Sequence, residues 1–405
     1  MRILKTYEDA FIVAEKCLNE ISFIKRPSLD GMKKMPEEID GPWSLTITSA
    51  ENTLKYIFEK LHHSCYMLCV TNQIPELIKL ESGKTAPSFL PEFKKRLNKT
   101  LKSKQRKTLL KTLKSKQVRV MQCIVKPYKD QSTVTEDYPL LFEGMQFPNG
   151  VFIFNLTDAV ILRKDGTEPW QMITGPKPLG EYNFDSHIPI LSCSGQQGYW
   201  DIPIPNYDDV RYVLGKEPMG NINKIWETKK NVAVFRGNPT GCGYTEETNM
   251  RLKLATMRSP DLDVGIIKNK SESWRFDPLY GLGQLHTSIK TVSFMNMEEQ
   301  SNHKFIIHVD GNVAAYRLLK TMLTGSLILR VKSDYSLWAD TILKEGVHYI
   351  SVNADLSNLQ ESIEWCKTHD SKCKKIAEQG RQIAEILLTK KYIQDSISRI
   401  LWSFK

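Results

Sequence analysis

The sequence predicts an α/β fold that contains a parallel, Rossmann-like sheet. Its 405 residues, 41% of them apolar, suffice for two domains that each have a core. From about Asn223 onward, short apolar runs alternate with helical patterns, an order typical of a parallel sheet covered by helices. We therefore predict an N-terminal domain over residues 1–222 and a C-terminal, Rossmann-like domain over residues 223–405. Whether the last helix packs back on the first domain is left open.

Five strands are predicted in the C-terminal domain, and four of them precede a helix. The strands are NVAVF (231–235), VGIIK (264–268), KFIIHV (304–309), SLILRV (326–331) and HYISV (348–352). The helices are TEETNMRLKLATM (245–257), VAAYRLLKTMLTG (313–325), LWADTILKE (337–345) and LSNLQESIEWCKTH (356–369). Because such sheets bind ligands beyond the carboxyl ends of their strands, the strand ends are where we expect a site.

The N-terminal domain is predicted to be mixed. A helical pattern over residues 53–62 leads into the strand-like run CYMLCV (65–70), and VRVMQCIV (118–125) is a second such run. The run GVFIFNLTD (150–158) indicates a buried strand whose last residue is an acid, Asp158. Proline and glycine punctuate the following stretch, which indicates loops more than regular structure.

Charged residues stand at two of the predicted strand ends in the C-terminal domain. Arg236 and Gly237 follow NVAVF and open a turn that carries three glycines. Asp310 follows KFIIHV, and Arg317 lies about two turns into the predicted helix. Free N–H groups at a helix N-terminus and a guanidinium both suit phosphate oxygens, so the pattern favours an anion site. The alternative is a tight turn in which Arg236 pairs with an acid.

The net charge of +10 belongs to one segment of the chain. Residues 94–117 hold eleven Lys or Arg and no acid, and subtracting these eleven charges leaves −1 for the remaining residues. Leucines at roughly helical spacing predict a basic amphipathic helix or helix pair there. A solvated surface element and an anionic membrane surface or polyanion partner are both open. The run has no aromatic residue on which bases could stack, which disfavours a nucleic-acid partner.

The sequence has neither signal-peptide nor membrane-anchor character. Acids interrupt the apolar patch of the N-terminal MRILKTYEDAFIVAEKCLNE, and no apolar stretch reaches the roughly 18 residues that span a bilayer. The eight cysteines are scattered without a disulfide-framework pattern, in agreement with a reducing compartment. We therefore expect a soluble, cytoplasmic protein.

Several further patterns were weighed as sites of other chemistry. Asp261–Asp263 resembles a metal-binding acid pair but precedes a strand instead of following one. His62–Cys69 offers four zinc ligands without the paired spacing of structural sites. The turn GNPTGCG (237–243) lacks the Lys-Ser/Thr ending of an ATP-hydrolysing phosphate loop. His308 and His348 are either sugar contacts or hydrogen-bonded core residues.

A set of ordered stretches carries a family resemblance. They are NLTD (155–158), IPILSCSGQQGYWDI (188–202), FRG (235–237), DGNVAAYR (310–317), LTGSLILRVKS (323–333), Trp338, HYISV (348–352) and DLSNLQE (355–361). Together they resemble glycosyltransferase family 90, the group of protein O-glucosyltransferases and fungal capsule-associated xylosyltransferases. The resemblance implies a GT-B-like architecture, in which two Rossmann-like domains face a cleft, and an inverting, metal-independent transfer from UDP-glucose or UDP-xylose.

The resemblance also implies roles for individual residues. Asp158 would be the general base that deprotonates the acceptor hydroxyl, and Arg236 and Arg317 would neutralise the diphosphate of the donor. The other donor-side candidates are Gly237, Asp310, Asn312, Val313, Ala314, Ala315 and Tyr316, and the acceptor-side candidates are Tyr199, Trp200 and Asp201. No metal or other cofactor is expected, because the UDP-sugar is itself a substrate.

The chemistry of an inverting transfer agrees with this set of residues. A single displacement at the anomeric carbon needs one base at the acceptor and cations or N–H donors at the departing diphosphate. The expected acceptor is a hydroxyl of a glycan or of a protein. Two alternatives remain: a catalytically silent protein that binds a nucleotide or carbohydrate, and an adaptor that binds a polyanion or membrane surface through residues 94–117.

Overall fold

The computed structural model divides into two compact units. The first comprises Met1–Tyr207 with Ile393–Lys405, and the second comprises Asp208–Tyr392. The structure describes residues 1–20, 39–61, 64–81, 118–121, 124–127, 134–167, 169, 182, 184–267, 274–277, 279–284, 289 and 291–404. The sequence places the domain boundary at residue 222, whereas the compact units divide after Tyr207. The basic residues 94–117 and the histidines 62 and 63 lie outside the described residues.

The first unit is built on a six-stranded mixed sheet. Its strands and helices are β1 (Ile3–Leu4), β2 (Cys65–Thr71), β3 (Ile74–Leu80), β4 (Val118–Met121), β5 (Ile124–Pro127), β6 (Gly150–Asn155), β7 (Ile190–Ser192), β8 (Gly195–Gln196), β9 (Ile202–Pro203), α1 (Tyr7–Asn19), α2 (Ile47–Lys55) with a π-helical continuation (Tyr56–Leu61), and α3 (Val134–Phe142). The sheet has the order β1-β3-β2-β6-β7-β9. β2 pairs antiparallel with β3 and β6, while β6, β7 and β9 run parallel.

Aromatic packing and a tight hairpin organise this unit. Phe142 lies edge-on to Phe147 and Phe154, with ring centroids 5.2 and 5.9 Å away. The β2–β3 hairpin turns through Asn72 and Gln73, both with positive φ, as the right-handed twist of paired strands favours. The sequence reading missed β3, because its alternation of apolar and charged residues is short. Trp402 Nε1 donates to the carbonyl of Gln146, so the end of the chain contributes to this unit.

The second unit is built on a six-stranded parallel sheet. Its elements are α4 (Tyr207–Val213), a 3₁₀ turn (Trp226–Thr228), β10 (Lys230–Gly237), α5 (Met250–Thr256), β11 (Leu262–Ile267), β12 (Trp274–Asp277), β13 (Gly281–Gln284), β14 (Thr291–Val292), α6 (Met297–Gln300), β15 (His303–His308), α7 (Leu318–Met322), β16 (Leu327–Val331), β17 (Tyr335–Ser336), a 3₁₀ turn (Trp338–Thr341), β18 (Ile350–Val352), α8 (Leu359–Thr368) and α9 (Asp370–Leu387). The last helix, α10 (Lys390–Trp402), begins in this unit, and its residues from Ile393 onward belong to the first unit. The predicted α/β class with a parallel sheet is confirmed, and the five predicted strands correspond to β10, β11, β15, β16 and β18.

The strand order of this sheet defines a topological switch point. The order is β14-β11-β10-β15-β16-β18, all parallel, so the chain first builds outward from β10 on one side and then from β15 on the other. This is the doubly wound order, and ligands of such sheets bind where the order reverses, beyond the carboxyl ends of the strands. A ligand site is therefore expected at the loops that follow β10 and β15.

Apolar side chains on both faces hold this sheet between helices. Phe235 on β10 and Phe305 on β15 are fully buried and belong to one core with Leu252 of α5 and Ile363 of α8. Central strands of a parallel sheet are apolar on both faces because helices cover both, and β15 and β16 follow this rule. The core thus fixes the strand ends on which the loops stand.

Of the four helices predicted in this unit, the one over residues 337–345 is a 3₁₀ turn (Trp338–Thr341), the one from residue 356 begins at Leu359, and the other two begin five residues late. The helix predicted from residue 245 begins at Met250, where Asn249 Oδ1 accepts hydrogen bonds from the N–H groups of Arg251 and Leu252. The helix predicted from residue 313 begins at Leu318. In both stretches, polar side chains bind backbone groups locally and so compete with helix formation. Arg317 consequently lies at the start of α7 and not two turns inside a helix.

No helix in the part of the chain that the structure describes combines the length and the hydropathy needed to cross a membrane.

Candidate active site

The candidate site is formed by two loops at the switch point of the parallel sheet. Residues 238–249 follow β10 and residues 309–317 follow β15, and these two strands are direct neighbours. Gly241 N–H donates to Asn312 Oδ1 across 2.9 Å, which joins one loop to the other. The structure therefore brings the FRG stretch and the DGNVAAYR stretch together, although Gly241 and Asn312 are 71 positions apart in the sequence.

The loop after β10 depends on glycine. Gly243 has φ of +80°, and a Cβ at this position would lie 2.1 Å from Thr248 Oγ1. The Thr248 hydroxyl in turn donates to Asp277 Oδ2 across 2.5 Å, and Tyr244 N–H donates to the same oxygen across 3.0 Å. The loop is thus closed around one carboxylate. The sequence indicated the turn, but not that Asp277 holds it.

The loop after β15 is shaped by Asp310. Its Oδ1 accepts from Ala315 N–H across 2.7 Å, and its Oδ2 accepts from Ser333 Oγ across 2.6 Å. Burial raises the pKa of Asp310 from its ordinary value. Tyr335 donates its hydroxyl proton to the carbonyl of Asn312 across 3.0 Å. Asp310 therefore acts on the loop itself, by fixing the backbone that carries the predicted nucleotide contacts.

The predicted nucleotide-lining residues lie in this loop with their side chains inside. Those that are buried are Asn312, Val313, Ala314, Ala315 and Tyr316. Backbone N–H groups of such a loop are the kind of donor that suits phosphate and ribose oxygens. Their contact with a nucleotide remains a prediction.

Arg236 is paired with an acid. Its Nη2 donates to Asp263 Oδ1 across 2.6 Å and its Nη1 to the carbonyl of Asp263 across 2.7 Å, and the side chain is 7% exposed. In the strand register Asp263 lies opposite Val234, two residues before Arg236, so the guanidinium points back along the sheet. His303 Nε2 stands 3.9 Å from the other carboxylate oxygen. This geometry matches the alternative in which Arg236 pairs with an acid.

Arg317 is placed at the strand ends, where the charge of Asp208 acts on it from beyond ion-pair distance. Its Nη2 donates to the carbonyl of Arg236 across 3.1 Å, and its guanidinium lies 5.8 Å from the ring centroid of Phe235. Burial lowers the pKa of this guanidinium, which stays charged because arginine loses its proton only far above physiological pH. Among the residues that the structure describes, no carboxylate forms an ion pair with Arg317.

A third arginine at this edge was not found by sequence reasoning. Arg251 begins α5, is 9% exposed, and lies 5.9 Å from the ring centroid of Phe235. It donates to acceptors in both loops: Asp310 O (3.0 Å), Val309 O (2.9 Å), Asn238 O (3.1 Å) and Thr240 Oγ1 (2.6 Å). In the sequence it appears as one polar residue in an amphipathic pattern, so only the spatial meeting of the loops reveals its role.

His308 ends β15 as a buried, neutral histidine. Within the described part of the chain its Nε2 has no hydrogen-bond partner, and it lies 3.8 Å from Asp310 Oδ1, too far for a hydrogen bond. Burial lowers its pKa well below the ordinary value, and the charges of Arg330, Arg317 and Arg251 add to this effect. The three guanidinium groups thus create a positive potential at His308, which favours its neutral form. His348 Nδ1 accepts from the N–H of Lys344.

Asp158 stands in a fixed turn of the first unit. The turn follows β6, and the carboxylate-bearing residue is half-buried. Asn155 Nδ2 donates to the carbonyl of Ala159 across 2.5 Å and to Ser192 Oγ across 3.0 Å, while Thr157 Oγ1 donates to Asn155 Oδ1. A carboxylate carried by such a braced turn has a defined position, as a general base requires. The sequence predicted a strand-end acid, and the strand does end three residues before it.

The three acceptor-side candidates differ in what surrounds them. Asp201 is 6% exposed and accepts from the N–H groups of Ile161 and Leu162 and from Ser192 Oγ. Burial raises its pKa to about 6. Tyr199 and Trp200 are half-buried, and the ammonium of Lys164 lies 4.2 Å from the ring centroid of Trp200.

The residues weighed for metal binding have other partners. Asp263 pairs with Arg236, and Asp261 Oδ1 accepts from Lys367 Nζ across 2.6 Å. In the described ranges no three or more His, Cys, Asp or Glu side chains gather as a metal site would need. Cys65 and Cys69 are buried and free. Cys242, in the loop after β10, is disulfide-bonded, which the scattered spacing of the cysteines did not predict.

The fold and the two joined loops define a doubly wound α/β protein with a cationic strand-end site. The family model described as glycosyl transferase family 90 matches residues 177–404, more than half of the chain. The chain therefore belongs to glycosyl transferase family 90, and the resemblance inferred from the sequence is confirmed.

Individual relatives share shorter stretches. "Uncharacterized protein 035R" of Invertebrate iridescent virus 3 is 35% identical over 280 residues, which cover 64% of this chain and 25% of that protein. "Protein O-glucosyltransferase 2" of Danio rerio is 32% identical over 210 residues, covering 48% of this chain and 38% of that protein. The chain thus spans well under half the length of these relatives. A crystal structure of Anabaena Alr3699/HepE with UDP-glucose aligns at 16% identity over 49% of this chain and 52% of that one, with a TM-score of 0.30, too low to carry an argument.

Proposed function

We propose that this chain binds a UDP-sugar at the switch point between β10 and β15 and transfers the sugar to a hydroxyl of a glycan or a protein. The observation that carries the proposal is Arg317, a guanidinium at the ends of two adjacent parallel strands whose hydrogen bond goes to a backbone carbonyl. A cation in this place that forms no ion pair with any carboxylate of the described residues suits an anionic ligand. Membership of family 90, and relatives named protein O-glucosyltransferase, support sugar transfer.

In this proposal Arg317 neutralises the diphosphate of the donor. Negative charge grows on the departing UDP as the bond to the anomeric carbon breaks, and a fixed guanidinium stabilises that charge without reorganising. Its position against the Phe235 ring lowers the local dielectric, which strengthens the attraction. Arg236 would reach the diphosphate only after leaving Asp263, so we assign it a supporting role through its carbonyl, which orients Arg317.

We further propose that Asp158 takes the proton from the acceptor hydroxyl. An inverting transfer is one displacement, so a single base on the acceptor side completes the chemistry when a cation stabilises the leaving group. The braced turn at Asn155 supports this role, because a base must be held within hydrogen-bond reach of the proton that it removes. A metal ion is not required by this scheme, since Arg317 supplies the positive charge.

The sugar is proposed to be glucose or xylose. These two differ by one hydroxymethyl group, so the choice between them rests on the fit of a small pocket and is worth only about 1–3 kcal/mol in discrimination. On the acceptor side we propose Tyr199 and Trp200 as contacts. We assign Asp201 to holding the backbone at Ile161 and Leu162, in agreement with its hydrogen bonds.

The test is sugar release from a panel of UDP-sugars by the purified protein in EDTA, with and without candidate glycan acceptors. We expect turnover of one donor by the wild type, its loss in Asp158→Asn with UDP binding retained, and weakened UDP binding in Arg317→Gln. Tight binding of UDP without turnover of any donor would favour a silent binding protein. No UDP binding at all would contradict the proposal.

A further inference from the structure

Arg251 joins the two loops of the candidate site through one guanidinium. It donates four hydrogen bonds within these loops: Nη1 donates to Asn238 O and Thr240 Oγ1, Nη2 to Val309 O, and Nε to Asp310 O. Asn238 and Thr240 follow β10, whereas Val309 and Asp310 follow β15. The planar fork of arginine serves both loops at once, which the single ammonium of a lysine cannot do with the same geometry.

The two loops approach each other closely beside this guanidinium, at Gly311. A Cβ at Gly311 would lie 2.6 Å from Thr240 Oγ1 and 3.2 Å from both Cζ and Nη2 of Arg251. Glycine is therefore required at residue 311 for the approach of the loops and not for an unusual backbone angle. The backbone of Arg251 is held in the first turn of α5, which Asn249 caps.

This arrangement also governs the charge that a ligand would meet. Three backbone carbonyl oxygens, those of Asn238, Val309 and Asp310, converge on the guanidinium. The carbonyl of Asn238 also accepts from Thr240 N–H across 2.7 Å, so the loss of Arg251 would take a donor chiefly from the carbonyls of Val309 and Asp310, whose dipoles present their negative ends at the carboxyl edge of the sheet. The guanidinium groups of Arg251 and Arg317 both lie within 6 Å of the centroid of the Phe235 ring, so this edge carries two positive charges.

From these contacts we infer that Arg251 is a positioning residue, which sets the affinity for a nucleoside diphosphate by holding the loops of residues 238–243 and 309–315 together without contacting the ligand. The inference rests on the proposed function, because it assigns the diphosphate to this edge. It goes beyond that function because it gives a role to Arg251, whose N–H groups donate to protein carbonyls and to a threonine hydroxyl.

The experiment uses Arg251→Lys, Thr240→Val and Thr240→Ser in the full chain, with Arg258→Lys as the matched control. Arg258 is exposed just after the same helix, and its Nη1 donates to carbonyls of its own turn. Amide hydrogen exchange of the ligand-free proteins reports on the loops, with residues 327–331 of β16 as an internal standard for global stability. The UDP dissociation constant is measured by titration calorimetry.

We expect Arg251→Lys to speed exchange in both loops relative to β16 and to raise the dissociation constant of UDP about ten-fold or more, since it breaks hydrogen bonds made by a charged group. Thr240→Val should show a smaller change of the same kind, Thr240→Ser should restore wild-type values, and Arg258→Lys should match the wild type. The inference is overturned if loop exchange in Arg251→Lys follows that of β16 or only one loop responds. Wild-type protein that fails to bind UDP would instead contradict the proposed function, while the exchange data would still decide the role of Arg251.

Discussion

Arg236 and Arg317, which lie in two of the stretches that carry the family resemblance, differ in what they contact. Nη1 and Nη2 of Arg236 donate to the carboxylate of Asp263 and to backbone carbonyls, whereas Arg317 donates to one carbonyl and lies near the ring of Phe235. A paired charge attracts a further anion weakly, because its field is already compensated. At the level of single residues, the account therefore places the diphosphate on Arg317.

Replacing Arg317 by glutamine tests this assignment. We expect the dissociation constant of UDP to rise about ten- to hundred-fold, because a charge-assisted hydrogen bond to an anion contributes about 1.5–3 kcal/mol. Isothermal titration calorimetry measures the change, and Arg258→Gln, which alters an exposed arginine, is the control. Equal affinities of wild type and Arg317→Gln for UDP would contradict the assignment.

Replacing Asp263 by asparagine separates the two arginines. The change removes the carboxylate from the buried Arg236, so we expect the free energy of unfolding to fall by about 2 kcal/mol, with UDP affinity within two-fold of the wild type. Chemical denaturation and calorimetry measure the two quantities. A marked gain in UDP affinity would mean that the released Arg236 binds the diphosphate, contrary to the account.

At the level of elements, the site is made by loops that interrupt predicted helices. The strands could be predicted because buried parallel strands are nearly continuous apolar runs, as in β15 and β16. The late starts of α5 and α7 could not be predicted, because they depend on hydrogen bonds of two carboxylates. Asp277 accepts from Tyr244 N–H, which is distant in sequence, and Asp310 accepts from Ala315 N–H, inside the stretch predicted to be helical. Arg251 escaped prediction for the same reason, since two of its four acceptors, the carbonyls of Val309 and Asp310, lie 58 and 59 residues away in sequence.

Gly243 is expected to be indispensable to the loop after β10. In Gly243→Ala, a methyl group would overlap Thr248 in addition to the cost of a left-handed backbone, so the loop must move and UDP affinity should fall about ten-fold or more. Gly215→Ala is the control, because Gly215 has a similar φ of +71° with nothing within 4 Å of the added atom. Its effect should be limited to about 1 kcal/mol of stability. Similar UDP affinity of both variants would refute the role of loop shape.

In the first unit, His187 is expected to make stability depend on pH. It is 1% exposed among Tyr56, Tyr182 and Phe184, and burial lowers its pKa to about 4. The unfolded chain, with an ordinary histidine pKa near 6.5, binds more protons between these values, so acid favours unfolding.

The free energy of unfolding should therefore fall by up to about 3 kcal/mol as the pH drops from 7 to 4, through this residue. In His187→Gln, the part of the slope between pH 6.5 and 4 that His187 contributes should vanish. Urea denaturation at a series of pH values measures both proteins. Identical pH profiles would show that His187 does not titrate as its burial implies.

For the whole molecule, the charge is divided between one basic segment and a nearly neutral remainder. Eleven of the positive charges lie in residues 94–117, which are outside the described structure, while the described site has its own cations. The sequence alone could predict this division, the α/β class and the family, because each depends on composition or on ordered motifs. It could not decide the last helix, whose Trp402 and Ser398 contacts with Gln146 arise more than 250 residues away.

The basic segment can be tested apart from the nucleotide site. Deleting residues 94–117 should abolish any salt-sensitive binding to vesicles that contain anionic phosphatidylserine, because attraction between exposed charges is screened by salt. UDP affinity should be unchanged by the deletion. Vesicle sedimentation at low and high salt and calorimetry measure the two properties. Loss of UDP binding on deletion would contradict the separation of the two regions.

A crystal structure of the complex with UDP would show directly whether the diphosphate binds at Arg317. We expect diphosphate oxygens within hydrogen-bond distance of the Arg317 guanidinium, between the loops of residues 238–243 and 310–315, with Arg236 still paired to Asp263. A diphosphate bound at Arg236 and His303, or anywhere in the first unit, would contradict it.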